Sequence, residues 1–148
     1  MNTSAPSGHA PANGTPTMHS GSCLCGGITY SAAGELGPLS LCHCHRCRKA
    51  NGTAFLAGVV VDTAGFRLDD PQGLLVRFES SPGVFRAFCG RCGSPLFSHR
   101  PGPPDVIRLR PGTLDTPYAG PVAAHIFHAD RATWLAGADT APTFAERP

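Results

Sequence analysis

Charged residues and long apolar runs are both scarce in this chain of 148 residues. Asp, Glu, Lys and Arg together make up 15% of it. No apolar stretch approaches the roughly 20 residues that a membrane-spanning helix needs. The Lys and Arg residues form no dense patch with interleaved aromatic residues, as a nucleic-acid-binding surface would. We therefore expect a globular protein with neither a membrane nor a nucleic acid as its partner.

The first twenty residues lack the features of a secretory signal, because they contain no Lys or Arg and no apolar segment. A reducing, cytoplasmic location is therefore expected. The same stretch is dominated by Ala, Pro, Ser, Gly, Thr and Asn, which bury too little surface to offset the entropy lost on ordering. We expect residues 1–20 to be a flexible leader in which His19 is solvated. Residues 21–148 are expected to form one domain.

Turn residues separate short apolar runs throughout that domain, and helical patterns are scarce. Its many glycines and prolines suit short strands joined by tight turns. Helical turns are predicted only after Cys44, through Ala50, and around residues 132–135. Strands are predicted at residues 28–30, 55–61, 74–78, 84–88, 106–109 and 122–127. The sequence therefore predicts a single, mainly β domain.

The seven cysteines fall into three clusters: Cys23 with Cys25, Cys42 with Cys44 and Cys47, and Cys89 with Cys92. An odd number and one-residue spacings do not suit a disulfide framework, because a disulfide fixes the separation of its two Cα atoms. In a reducing compartment such clusters usually bind metal. The first and third clusters together supply the four thiolates of a closed tetrahedral zinc site. The middle cluster supplies three, which leaves one position open for water or a substrate.

The segment Cys89-Gly90-Arg91-Cys92-Gly93 is the strongest individual motif. Its glycines are expected to supply the φ angles of a tight turn, which Phe88 and Pro95-Leu96-Phe97 suggest joins two strands. A redox pair is the alternative, but no helical pattern follows the second cysteine. We predict that this motif shares a structural zinc with the first cluster and so contributes folding energy. The ligands of that zinc would be Cys23, Cys25, Cys89 and Cys92.

The middle cluster, Cys42-His43-Cys44-His45-Arg46-Cys47, is the candidate functional site. Three thiolates with one open position can bind an exogenous ligand and polarise it. Alternatively, His43 or His45 closes the fourth position and makes the site structural. Their alternation with the cysteines argues against this, because an extended backbone points neighbouring side chains in opposite directions.

Several other polar side chains surround or follow this cluster. Arg46, Arg48 and Lys49 could offset thiolate charge, hold an anionic substrate or form a solvated face. His125 and His128 flank the end of a predicted strand, where one of them could line a pocket. A structural role is the simpler expectation for both histidines.

From about Gly21 to its C-terminus, the chain resembles the glutathione-dependent formaldehyde-activating enzyme family, also called the centromere-protein-V/formaldehyde-activating domain. The motifs that carry the resemblance agree in order, spacing and flanking residues: GSCLCGGITY, LCHCHRCRKANG, FCGRCGSPLFS, VIRLRPGTLD and HIFHADRATWL. The resemblance implies twisted antiparallel β-sheets of the Mss-four-like kind, with very little helix and two Zn²⁺ ions per chain. The structural zinc of the family maps onto Cys23, Cys25, Cys89 and Cys92. Its functional zinc maps onto Cys42, Cys44 and Cys47.

The founding activity of that family is the condensation of formaldehyde with glutathione to S-hydroxymethylglutathione, which is a carbon–sulfur lyase reaction in reverse. The resemblance therefore implies a zinc-dependent carbon–sulfur lyase that acts on a thiol–aldehyde adduct. Its partner would be a small-molecule thiol such as glutathione. The alternative is a non-enzymatic, zinc-stabilised β module that binds a protein or a small thiol ligand.

Overall fold

A computed structural model describes residues 15–147, which form ten strands and little helix. Across these residues the chain has one α-helix, α1 (His45–Asn51), and several short 3₁₀ turns, among them residues 111–113 and 128–130. The strands are β1 (Met18–Ser22), β2 (Thr29–Ala33), β3 (Leu39–Cys42), β4 (Leu56–Asp62), β5 (Phe66–Asp69), β6 (Leu75–Ser81), β7 (Val84–Cys89), β8 (Pro95–His99), β9 (Val106–Leu109) and β10 (Val122–Ile126). The predicted mainly β fold is confirmed. No helix within the described range is long and apolar enough to cross a membrane.

The strands form two sheets of unequal size. The small sheet has the order β1-β2-β5, and the large sheet has the order β10-β3-β4-β9-β8-β7-β6. Neighbouring strands are antiparallel except at one edge of the large sheet, where β10 runs parallel to β3. This parallel pair places the end of β10 beside Cys42, because Ile126 is the register partner of Cys42.

The main core lies between the two sheets. Ile28, Tyr30 and Ala32 on the small-sheet side pack with buried residues of the large sheet, including Leu96 and Leu109. Aromatic rings continue this contact: the ring centroid of Phe66 lies 5.6 Å from that of Tyr30 and 5.3 Å from that of Phe97. Burial of these apolar side chains holds the small sheet against the large one.

A second, smaller buried cluster consists of Cys42, Cys47 and Leu56. It lies where β3 leads into α1, apart from the main core. The three-cysteine group therefore has its own local packing.

The apolar runs of the sequence correspond to β2, β4, β6, β7, β9 and β10, and the helical turn after Cys44 is α1. The strand expected at Pro95-Leu96-Phe97 is β8. The three remaining strands, β1, β3 and β5, carry too few consecutive apolar residues to be predicted. The sequence of β1, Met-His-Ser-Gly-Ser, has no β signature of its own. It becomes a strand because it pairs along its whole length with β2.

The last three residues of the expected leader lie in a strand of the small sheet. Met18–Ser20 belong to β1, and His19, which was expected to be solvated, is half-buried. Pairing with β2 gives the backbone N–H and C=O groups of this segment their hydrogen-bond partners. Residues 1–14 of the predicted leader lie outside the described residues, and for them the leader stays a prediction.

Gly21 lies where the small sheet packs too closely to leave room for a side chain. A Cβ atom there would overlap the ring of the buried Tyr30 and lie 2.5 Å from the carbonyl oxygen of Thr113. We expect Gly21→Ala to lower the free energy of unfolding by about 2 kcal/mol, because the added methyl group forces these neighbours apart. Denaturant unfolding of the metal-loaded protein measures this loss. Gly112→Ala is the matched control, since its Cβ would meet nothing within 4 Å. Equal losses in the two variants would contradict the expectation.

Candidate metal centres

Four cysteine sulfurs from distant parts of the chain meet at one end of the large sheet. The sulfur atoms of Cys23, Cys25, Cys89 and Cys92 all lie within 4.8 Å of one another. The Cys23–Cys25 and Cys25–Cys89 sulfur separations are 3.5 Å and 3.8 Å. Tetrahedral zinc with Zn–S bonds of about 2.3 Å places its sulfur ligands about 3.8 Å apart. This donor set and its spacing therefore fit a zinc ion without rearrangement.

All seven cysteines lie in the described part of the chain, and none of them forms a disulfide. The sulfur separations given above are far longer than the roughly 2.05 Å of a disulfide bond. Metal ligation is therefore the role that the geometry of both groups favours.

Two tight turns face each other at the four-cysteine group. After β1, the Gly26 N–H donates to the Cys23 carbonyl oxygen over 2.9 Å, and after β7 the Gly93 N–H donates to the Cys89 carbonyl oxygen over 2.8 Å. Both glycines have a left-handed backbone, with φ of 71° and 76°. The Ile28 N–H also points at the Cys23 sulfur, 3.3 Å away. These turns bring each pair of sulfurs together and direct a backbone N–H at a thiolate.

Gly90 has a different role from the one predicted for it. Its φ is not left-handed, unlike that of Gly93. Instead, its N–H donates to the carbonyl oxygen of Leu74 over 2.7 Å, and a Cβ atom would lie 2.9 Å from a methyl carbon of Val76. Glycine is needed here because the β6 side of the hairpin approaches closely.

Ser94 links the two halves of the four-cysteine group. Its hydroxyl oxygen accepts a hydrogen bond from the Leu24 N–H over 2.9 Å and lies 3.2 Å from the Cys92 sulfur. The Ser94 hydroxyl, and after it the Ser94 backbone, lowers the pKa of Cys92 to about 5. Ser94 therefore favours the thiolate form that a metal requires.

The second group consists of Cys42, Cys44 and Cys47, whose sulfur atoms also lie within 4.8 Å of one another. Cys42 ends β3, Cys44 immediately precedes α1, and Cys47 lies in the first turn of that helix. Cys42 and Cys47 are buried, whereas Cys44 is half-buried. Among residues 15–147, no fourth Cys, His, Asp or Glu joins this group. Three sulfurs with one accessible side fit a metal with an open position.

The surroundings of the group shift the pKa values of Cys42 and Cys44 in opposite directions. Burial, together with the sulfurs of Cys47 and Cys44, raises the pKa of Cys42 to about 12. For Cys44, burial acts to raise the pKa, but hydrogen bonds involving the Cys47 backbone and the other two sulfurs outweigh it and lower the pKa. The thiolate form is thus favoured at Cys44 and disfavoured at Cys42. A divalent metal ion bound to the group would stabilise the thiolate form of both.

The structure places neither His43 nor His45 in the sulfur group. His45 is exposed on α1. The fully buried His43 points elsewhere: its Nε2 lies 2.9 Å from Nδ1 of His125, and its ring lies 5.3 Å from that of His128. Burial, followed by these two histidines, lowers the pKa of His43. His43 therefore links the segment between β3 and α1 to the end of β10.

A groove of about 710 Å³ opens beside the three-cysteine group. Its basic lining residues are Arg46, Lys49, Arg77, Arg86 and Arg110. Apolar side chains, among them Phe78 and Phe88, form much of the rest. No Asp or Glu of the described residues lines it.

Arg86 connects this groove to the sulfurs, because its Nη2 lies 3.6 Å from the sulfur of Cys47. The positive charge of the groove therefore extends to the edge of the three-cysteine group.

Residues 18–130 match the family model described as glutathione-dependent formaldehyde-activating enzyme. The chain belongs to this family. The resemblance carried by the cysteine motifs is thereby confirmed, although the match ends before the last of the motifs does. Residues 131–148, which include Trp134, lie outside the match.

This member of the formaldehyde-activating family is similar to one curated protein and shares its fold with one solved structure. An uncharacterized lyase of Schizosaccharomyces pombe is 32% identical to it over 79 residues, which are 53% of this chain and 56% of that protein. The match thus spans just over half the length of the curated relative. The crystal structure of a Rhodobacter sphaeroides protein has a TM-score of 0.58, covers 72% of this chain and 98% of its own, and is 18% identical. This second likeness shows a shared fold.

In this family member, sequence reasoning found the cysteines and missed their polar neighbours. Arg77, Arg86 and Arg110 are far from the cysteine motif along the chain, and only the strand order of the large sheet brings them to it. Arg48, which was considered with Arg46 and Lys49, does not line the groove. Ser94 lies two residues after Cys92, and this proximity was the only feature of the sequence that pointed to its contact with the Cys92 sulfur.

Ser94→Ala should weaken metal binding at the four-cysteine group. Removal of the hydroxyl leaves the Leu24 N–H and the Cys92 sulfur without their partner, so we expect affinity for zinc to fall about tenfold. Competition with a chromogenic chelator, in protein that also carries Cys44→Ser to isolate this group, measures the change. Ser98→Ala on β8 is the control and should leave the affinity as it is. An unchanged affinity in Ser94→Ala would show that its hydroxyl does not support the ligands.

Proposed function

We propose that this member of the formaldehyde-activating family is a zinc-dependent carbon–sulfur lyase that interconverts a thiol–aldehyde adduct with the free thiol and aldehyde. One observation carries the proposal: Arg86, which lines a cationic groove, has its Nη2 3.6 Å from the sulfur of Cys47 in a group of three cysteines. The family match and the lyase name of the yeast relative support the same reaction class.

The two cysteine groups would have separate duties. Cys23, Cys25, Cys89 and Cys92 form a closed set of four ligands, which suits a structural ion. Cys42, Cys44 and Cys47 would hold the functional ion. A zinc ion bound there would supply an open position for the substrate sulfur or aldehyde oxygen and would favour the thiolate at neutral pH.

The groove suits a thiol that carries carboxylates. Glutathione has two carboxylates and one ammonium group, so its net charge at neutral pH is negative. Arg46, Lys49 and Arg77 lie along the groove and complement that charge. The apolar walls suit the methylene groups of the tripeptide, and the volume of about 710 Å³ is typical of a small-molecule site. S-Hydroxymethylglutathione is therefore the substrate we propose.

The reaction needs no oxidant, reductant or further co-reactant. In the lyase direction, the carbon–sulfur bond of the adduct breaks and its electron pair returns to sulfur. The hydroxyl group of the adduct loses its proton as the carbon–oxygen double bond of formaldehyde forms, and sulfur takes up one proton. The groove arginines and lysine hold the carboxylates while this exchange takes place, so they position the sulfur rather than react.

Cys44→Ser tests whether the three-cysteine group is catalytic. We expect bound zinc to fall from two ions to one per chain and turnover to drop by about 100-fold or more, because the open position is lost. Elemental analysis gives the stoichiometry, circular dichroism checks the fold, and NMR exchange between glutathione and its hydroxymethyl adduct gives turnover. Cys89→Ser is the contrasting variant and should lose the folded state. Unchanged turnover with one zinc per chain would exclude the catalytic role and favour the non-enzymatic module.

Arg77→Glu tests the recognition of carboxylates. Reversing this charge should raise KM for S-hydroxymethylglutathione by about five- to tenfold, since each charge interaction near the surface is worth about 1 kcal/mol. The effect should be smaller for the hydroxymethyl adduct of 2-mercaptoethanol, which has no carboxylate. Arg67→Glu, on the outer strand of the small sheet, is the control and should leave both KM values as they are. Equal rises for both adducts in Arg77→Glu would argue against carboxylate recognition.

A further inference from the structure

Two arginines beside the three-cysteine group have no carboxylate partner. Within residues 15–147, the one pair of opposite charges within 4.0 Å is His99 with Asp105, which includes neither of these arginines. Arg110 is only 6% exposed, and its Nη1 donates to the carbonyl oxygen of Arg108 over 2.8 Å. The Nε atoms of both Arg86 and Arg110 are buried and have no hydrogen-bond partner in the described structure. The fold therefore holds two positive charges close together without an acidic side chain.

Such an arrangement is costly unless a negative charge lies nearby, because burial removes the water that solvates a guanidinium group. Burial, followed by the charge of Arg86, lowers the pKa of Arg110 to about 10, while the sulfurs of Cys47 and Cys42 act in the opposite direction. The Nη2 of Arg86 lies 3.6 Å from the sulfur of Cys47. The thiolates of the three-cysteine group are thus the counter-charges of the two arginines.

The charges of the loaded site do not cancel. Three thiolates and one divalent ion leave one negative charge, and Arg86 and Arg110 turn this into one positive charge. The exposed Arg46, Lys49 and Arg108 are not counted, because water screens their charges. A neutral fourth ligand would leave that positive charge uncompensated. An anionic fourth ligand would bring the total to zero, which is the state that a partly buried site favours.

The four-cysteine group shows the contrast within the same chain. There the donors found at the sulfurs are the Ile28 N–H and the Ser94 hydroxyl, which are neutral. That group fills its four positions from the chain itself and needs no room for a further anion. Arg91 lies between Cys89 and Cys92 in the sequence, but its guanidinium group donates to the side-chain oxygen of Gln72. Contact between a guanidinium group and a sulfur is found at the group with three sulfurs.

We propose that Arg86 and Arg110 are specificity-determining residues that select a thiolate, rather than a neutral ligand, for the open position at Cys42, Cys44 and Cys47. The inference rests on the proposed function in that it takes this group to be a zinc site open to a thiol. It adds that the thiol binds as an anion because two guanidinium charges compensate it. Arg86 contacts a ligand sulfur directly, and Arg110 adds a buried charge behind it.

Binding of two small probes to the full chain, with cobalt in the second group and zinc in the first, tests this selection. The probes are 2-mercaptoethanol, a thiol without a carboxylate, and imidazole, a neutral ligand. Cobalt–thiolate absorption and the ligand-field spectrum report binding without any turnover. Arg86→Gln should weaken 2-mercaptoethanol binding about tenfold and change imidazole binding less than about twofold. Arg86→Lys, which keeps the charge, should recover most of the thiol affinity.

Arg110 needs milder changes because it is buried. Arg110→Lys keeps its charge and should retain the preference for the thiol, whereas Arg110→Gln should reduce it in the fraction of protein that stays folded. Arg67→Gln on the small sheet is the control and should bind both probes as the wild-type chain does. Circular dichroism and metal content establish which variants are folded and loaded.

The outcomes separate this inference from the proposed function. No thiol binding by the wild-type chain, an equal loss of both probes in Arg86→Gln, or no loss of either would overturn the selection by arginine. An arginine-dependent thiol preference in a chain that does not turn over S-hydroxymethylglutathione would support the selection and reject the lyase. Turnover of S-hydroxymethylglutathione by the wild-type chain, together with an unchanged preference for the thiol in Arg86→Gln, would support the lyase and reject the selection by arginine.

Discussion

Sulfur atoms packed within 4.8 Å of one another repel as thiolates, and both cysteine groups in this protein have that spacing. Each group therefore depends on nearby positive charge or hydrogen-bond donors. At the four-cysteine group, tight turns aim a backbone N–H and a serine hydroxyl at the sulfurs. At the three-cysteine group, a guanidinium group approaches instead. The two groups therefore differ in their surroundings because each compensates the repulsion between its sulfurs in a different way.

The large sheet supplies the positions on which this arrangement depends. Strand β7 carries Arg86 toward the groove and, three residues later, ends at Cys89 in the other group. One short strand thus contributes to both sites. At the opposite edge, the parallel pairing of β10 with β3 brings His125 to His43 and braces the segment that leads to Cys44. The small sheet contributes Cys23 at the end of β1 and holds it in place through the main core.

The parts that the sequence predicted are those set by local chemistry. Cysteine count and spacing identified both sulfur groups, and apolar runs identified strands such as β4 and β9. Strand β1 was missed because partner strands stabilise it, not its own residues. Arg86 and Arg110 were missed because no local pattern shows which strands become neighbours. Gly90 was predicted to supply a left-handed φ, but glycine is needed there because β6 approaches closely. Both requirements select glycine, so the sequence does not distinguish them.

The separation of 64 residues between Cys25 and Cys89 has a consequence for how the protein is made. During synthesis, Cys23 and Cys25 leave the ribosome with half a ligand set and stay incomplete until β7 and its turn have followed. Closing so long a loop is entropically costly, and the bound ion offsets that cost only once all four sulfurs are present. A metal ion that takes all four sulfurs as ligands would therefore bind this group only after β7 and its turn have been synthesised.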